Sequence, residues 1–189
     1  VFNTLSFSRD DVASFVLPEG MKGPEIRDEE DVVVPFQVIK DADTDRALVS
    51  VRNIPAKGYR AYRIREASGA DNGKLGGAVL RDDGLSITKY CMENPFFRVE
   101  LDEKGTIISL FDKKNRRQVL SGKERGNVIQ AFEDRPMSFD NWDIDIYYQE
   151  KMWEVDDVQD MEILETGPIR GRLRITRKFL DSTIVQDMI

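Results

Sequence analysis

The richest chemistry in this sequence lies in one run, Phe132-Glu133-Asp134-Arg135-Pro136-Met137-Ser138-Phe139-Asp140-Asn141-Trp142-Asp143-Ile144-Asp145-Ile146-Tyr147-Tyr148. Aromatic rings beside carboxylates can grip a sugar: the ring packs on C–H faces and the carboxylate accepts from hydroxyls. In an extended stretch Asp143, Asp145 and Tyr147 share one face, and Trp142, Ile144 and Ile146 the other. Two carboxylates held about 5–10 Å apart could also do glycosidic acid–base work. A plainer reading is open beside these two. Trp142 and the isoleucines would then be core, and the aspartates would cap a loop and pair with arginines.

Other constellations are weaker. There is no histidine, which excludes imidazole bases, Ser-His-Asp and Cys-His catalysis and the usual histidine-containing zinc sites within this chain. Asp41-Ala42-Asp43-Thr44-Asp45 imitates the start of a calcium loop, but Arg46 and Arg52 stand where Gly and Glu are needed, so it reads as a turn. Lys113, Lys114, Arg116, Arg117, Lys123 and Arg125 read as a solvated hairpin end. Glu154, Asp156, Asp157, Asp160 and Glu162 read as a solvated loop. Cys91, between Tyr90 and Met92, reads as a small buried hydrophobe, with no histidine to activate it.

The elements that must carry these residues alternate with period two. Phe2, Leu5 and Phe7 open the chain, and Ser8-Arg9-Asp10-Asp11 reads as a turn before a strand from Val12 to Leu17. Val32 to Ile39, Arg46 to Arg52, Tyr59 to Ile64 and Asn127 to Phe132 follow as strands bounded by Gly, Pro, Asp or Asn. Phe96 to Leu101 and Thr106 to Phe111 flank a turn in which Gly105 supplies positive φ. Ile169 to Phe179 and Thr183 to Ile189 pair around Leu180-Asp181-Ser182. No amphipathic helix longer than about two turns passes the i, i+3, i+4 test. The fold class is all-β, an antiparallel β-sandwich. The domain reading is 1–66, a small β-sandwich domain or part of one; 67–77, a Gly-rich linker or loop; and 78–189, the first part of a larger C-terminal sandwich.

The chain has 189 residues, 40% hydrophobic and 33% charged, with 28 Lys+Arg against 35 Asp+Glu and net charge −7. That balance disfavours nucleic-acid binding. No apolar run approaches the ~20 residues that span a bilayer, so no membrane partner is expected. One cysteine and no N-x-[ST] sequon point to a reducing compartment, the cytoplasm. Val1 lies in a strand-like segment and Ile189 in another, so the chain is expected to be a piece of a longer protein with exposed sheet edges through which an oligomer could form.

The same stretches resemble the C-terminal β-region of glycoside hydrolase family 38, the α-mannosidases. Asn94-Pro95-Phe96-Phe97-Arg98-Val99-Glu100-Leu101-Asp102-Glu103-Lys104-Gly105-Thr106-Ile107 is similar to the opening hairpin of the family's large sandwich, and Leu110-Phe111-Asp112-Lys113 and Arg117-Gln118-Val119-Leu120 continue it. Phe132-Glu133-Asp134-Arg135-Pro136 with Asp140-Asn141-Trp142-Asp143-Ile144-Asp145 resembles its aspartate–tryptophan–aspartate segment. Glu165-Thr166-Gly167-Pro168-Ile169-Arg170 also matches. Val1-Phe2-Asn3-Thr4-Leu5-Ser6 and Ile54-Pro55-Ala56-Lys57-Gly58-Tyr59 resemble the smaller β-domain before it.

The resemblance implies a mutarotase-like (super)sandwich and, for the parent, a zinc-dependent retaining α-mannosidase with an aspartate nucleophile. Nucleophile and zinc ligands lie outside this β-region, so it implies no catalytic residue, metal ligand or cofactor here. The implied partners are the N-terminal catalytic barrel of the same parent chain and a mannose-containing oligosaccharide. Asp140, Trp142, Asp143, Asp145 and Tyr147 become candidates for the edge of the active site. An autonomous carbohydrate-binding module and a purely structural or assembly domain remain the alternatives.

Overall fold

Short β-branched and aromatic runs broken by Gly, Pro, Asp and Asn give strands joined by tight turns. The computed structural model describes residues 1–41, 44–67, 84–139 and 141–189, and among them the regular structure is all-β apart from one five-residue 3₁₀ turn, Ile146–Glu150. The strands are β1 (Phe2–Asn3), β2 (Arg9–Val16), β3 (Pro24–Arg27), β4 (Phe36–Asp41), β5 (Thr44–Ile54), β6 (Gly58–Tyr59), β7 (Arg63–Glu66), β8 (Ser86–Ile87), β9 (Cys91–Glu93), β10 (Phe97–Leu101), β11 (Ile107–Asp112), β12 (Arg117–Gln118), β13 (Gln130–Phe132), β14 (Met152–Glu154), β15 (Asp157–Thr166), β16 (Gly171–Phe179) and β17 (Ser182–Met188). They divide into two compact units, Val1–Leu85 with Glu165–Gly171, and Ser86–Leu164 with Arg172–Ile189. Of the expected linker 67–77, only Ala67 lies within the described residues.

In the first unit the sheet β2-β5-β4 and the pair β3-β7 close on one core. Ala47, Val49 and Val51 share the buried face of β5, as their alternation requires, and pack with Leu17, Ile26, Phe36 and Ile54. Buried Gln37 holds the Glu165–Gly171 loop: its Oε1 accepts from the backbone N–H of Ile169 (3.0 Å) and Arg170 (2.8 Å), and its Nε2 donates to the Arg170 carbonyl (3.1 Å). Glu25 and Arg65 face each other across β3 and β7. Glu25 Oε1 accepts from Arg27 Nε and Arg65 Nε, both at 2.7 Å. Those hydrogen bonds, Arg27's first, hold the Glu25 carboxyl at about 2, below its ordinary 4.5. A depressed folded pKa gives stability that is complete above about pH 4.5 and is lost as pH falls toward 2. In Glu25→Gln the melting temperature should therefore fall less steeply over pH 4.5 to 2 than in the wild-type chain. Parallel slopes in calorimetry would remove Glu25 from the acid response.

In the second unit the sheet β12-β11-β10-β9-β8 and the sheet β15-β16-β17 share a core of Leu101, Met161, Leu173 and Ile175, flanked by Ile87, Met92, Val99, Ile107, Val158 and Ile163. Fully burying each aliphatic side chain contributes roughly 1.5–3 kcal/mol. The pair β10-β11 has the expected register, Val99 opposite Leu110, and Gly105 has φ +69°. β16 and β17 pair from Leu173–Met188 to Phe179–Ser182, around Leu180 at φ +51°.

Several sequence expectations are corrected. Arg9 to Asp11 form part of β2, across a register irregularity, and are not a turn. Only Phe2–Asn3 of the opening run is strand. Residues 32–35 precede β4; Tyr59–Ile64 is broken between β6 and β7; of Asn127–Phe132 only β13 is strand. The acidic run forms β14, β15 and their junction, where Glu154 pairs with Arg125 and Asp156 with Lys104. The supposed calcium loop joins β4 to β5 with Asp41 opposite Thr44, while Ala42 and Asp43 lie outside the described residues. Cys91 is half-buried in β9.

Candidate functional site

The pair β13-β14 is a two-stranded foot. Phe132 pairs with Met152, Ala131 with Trp153 and Gln130 with Glu154. From it residues 133–139 and 141–151 form the connecting stretch, which contains the described sequence candidates Trp142, Asp143, Asp145 and Tyr147. The base is closed by the Glu133 N–H donating to the Lys151 carbonyl (3.0 Å) and by Lys151 Nζ on Glu133 Oε1 (3.1 Å). Phe132 and Tyr148 meet edge to face at 5.2 Å, and Lys151 stands 4.8 Å over the Trp153 ring.

Within the loop the segment is not extended. Phe139 takes φ +58°, and its carbonyl accepts from the N–H groups of Trp142 (2.7 Å) and Asp143 (3.0 Å). Asp145 Oδ2 accepts from the Met137 N–H at 2.7 Å, and the Asp145 carbonyl from the Tyr148 N–H at 3.1 Å. Residues 141–142 are therefore a turn, and the chain enters the 3₁₀ turn at Ile146. The expected two-faced strand does not form. No hydrogen bond or ion pair joins any two of Asp143, Asp145 and Tyr147. Asp145 spends one oxygen on the loop's own backbone, Asp143 and Tyr147 are exposed, and Asp140 lies outside the described residues.

The core reading of this run is overturned. Trp142 is 88% exposed, and Met137, Phe139, Ile144 and Ile146 are each more than 70% exposed. Five large apolar side chains within ten residues are left in water, and each forfeits the stabilisation that burial would give. Met137 and Phe139 are missing from the sequence candidates. Their signal, apolar residues clustered among acids without alternation, was present but could be read equally as core.

Three of the six basic residues of the cluster carry acidic partners. Lys113 pairs with Glu93 at 2.7 Å and Arg117 with Asp112 at 3.8 Å, beside the Arg125–Glu154 pair. The Lys113 hydrogen bond is the main cause that holds the Glu93 carboxyl below the usual range. Among the described residues no three Cys, Asp or Glu side chains converge as metal ligands. In the comparisons with known proteins, residues 92–189 match the family model described as Glycosyl hydrolases family 38 C-terminal domain. No curated protein matches the chain.

Proposed function

Because this chain belongs to the family of glycosyl hydrolase family 38 C-terminal domains, we propose that it is the non-catalytic β-region of a retaining α-mannosidase. The parent enzyme hydrolyses terminal α-D-mannosides on its catalytic barrel, with zinc held there, in the cytoplasm. The β-region supports the barrel and lends the 133–151 loop to the edge of the substrate site. The observation that carries this reading is the solvent-facing Trp142, held on a backbone-fixed turn next to Asp143. An indole presented this way can stack on the C–H face of a sugar while a neighbouring carboxylate accepts from its hydroxyls.

The same loop also suits an autonomous carbohydrate-binding module, and hydrolysis separates the two. With added zinc, 4-nitrophenyl α-mannoside should be untouched by the 189-residue chain and turned over by a longer chain that includes the barrel. Turnover by the 189 residues alone would make the carboxylates around Trp142 catalytic and overturn the reading. No hydrolysis by either chain, with mannobiose binding to the shorter one that is lost in Trp142→Ala, would favour the binding module.

A further inference from the structure

The first unit contains a cleft of about 700 Å³ lined by side chains from three separate segments. Its size suits a mono- or disaccharide. Asp28 and Glu30 come from the turn after β3, Arg52 from the end of β5, and Arg60 and Tyr62 from the stretch between β6 and β7. Residues 32–35 give an apolar wall.

Each part is fixed by its own backbone. Asp28 Oδ1 accepts from the N–H groups of Glu30 (3.0 Å) and Val32 (2.9 Å), which shapes the acidic turn. Arg60 donates Nε to the Asn53 carbonyl at 3.1 Å. Tyr62 is half-buried and packs against the first unit's core. The ring is thus anchored, with little entropy left to lose on binding.

The remaining polar groups are unspent. Among the described residues no hydrogen bond or ion pair engages the Arg52 guanidinium or the Glu30 carboxylate, and the terminal nitrogens of Arg60 are likewise unengaged. The cleft presents two carboxylates and two guanidiniums. A phosphate would meet Asp28 and Glu30, and a cation would meet Arg52 and Arg60. A neutral polyol can use both signs, donating to the acids and accepting from the arginines, whose planar groups fit vicinal hydroxyls two at a time. We infer that this cleft is a saccharide-binding site in the first unit, separate from the Trp142 loop. It does not depend on the role proposed for that loop.

The test is titration of the 189-residue chain with mannobiose, maltose, cellobiose and inorganic phosphate, read by calorimetry and by saturation transfer from protein to ligand. At least one disaccharide should bind at about millimolar Kd, a strength suited to a few solvent-exposed hydrogen bonds. Arg52→Met and Glu30→Gln, both at exposed positions, should each weaken it about tenfold, the loss of one charge-assisted hydrogen bond. Trp142→Ala should leave this binding in place, whatever it does to the proposed edge site. Circular dichroism melts of the variants establish that they fold. Flat titrations with all three disaccharides overturn the inference. So does tighter binding of phosphate than of any sugar, or sugar binding lost in Trp142→Ala and unchanged in Arg52→Met.

Discussion

Gly105→Ala should lower the melting temperature of the second unit by about 15 °C, a loss of roughly 3 kcal/mol. A Cβ at this position would stand 2.5 Å from Arg177 Nη2 and 2.6 Å from Ile175 Cδ1. Neither neighbour can yield cheaply. Ile175 is fully buried and Arg177 is 1% exposed. The Arg177 guanidinium donates to the Lys104 carbonyl (2.8 Å) and to Gln186 Oε1 (2.9 Å), and Gln186 Nε2 donates in turn to Asn127 Oδ1 (2.6 Å). Asn127 Nδ2 closes the ring on the Gly105 carbonyl at 2.7 Å. Burial pushes the Arg177 guanidinium below the usual arginine range, with Asp102 acting against it. Moving it would strand a desolvated cation and two acceptors. Backbone strain at φ +69° adds about 1 kcal/mol for a residue with a Cβ.

The control for that prediction is Gly122→Ala. Gly122 also has positive φ, +59°, but nothing lies within 4 Å of its Cβ position. It should cost only the conformational part, about 1 kcal/mol. Equal drops in the two variants, read by differential scanning calorimetry, would mean that backbone strain alone sets the cost and that the Arg177 network yields freely.

The same corner of the molecule shows why some of the fold could be read directly. The hairpin from Phe97 to Asp112 announces itself because alternation, turn residues and Gly105 all ask for one conformation. β5 is legible for the same reason: Ala47, Val49 and Val51 alternate onto one face, and that face joins the core. β15 was misread because its sequence is dominated by acids. Its core face needs only Val158, Met161 and Ile163, and nothing local says that Asp156 and Glu154 will find Lys104 and Arg125 from distant segments. Arg9 to Asp11 failed similarly. The Asp10 carboxylate accepts from the Asn53 N–H at 2.8 Å, a partner more than forty residues away.

The candidate site divides along the same line. Its composition is local, so the residues between Phe132 and Tyr148 stood out. Its geometry is not, since the turn depends on positive φ at a phenylalanine and on Asp145 reaching back to Met137. A non-glycine in that region costs energy and occurs where surrounding contacts impose it. The cleft in the first unit lies further from reach. Glu30, Arg52 and Tyr62 belong to no motif, and only the packing of β3, β5 and Tyr62 on a shared core brings them together.

Trp142→Ala carries the second large effect, and it separates chemistry from folding because of where the indole sits. The residue's structural contribution is its backbone N–H on the Phe139 carbonyl, which alanine keeps. With the ring 88% exposed, its removal gives up little burial, and the 189-residue chain should melt within about 2 °C of wild type. In the longer chain with the barrel, kcat/KM for an α-mannoside should fall about tenfold, roughly the 1.4 kcal/mol of a good ring–sugar contact. The loss should fall on KM, since a ring that touches bound sugar away from the reacting carbon holds ground state and transition state alike. Trp142→Phe should recover part of it. Unchanged kinetics together with a melting temperature several degrees lower in the longer chain would show the ring buried against the catalytic domain. The loop would then be a docking surface, with support its whole contribution to the enzyme.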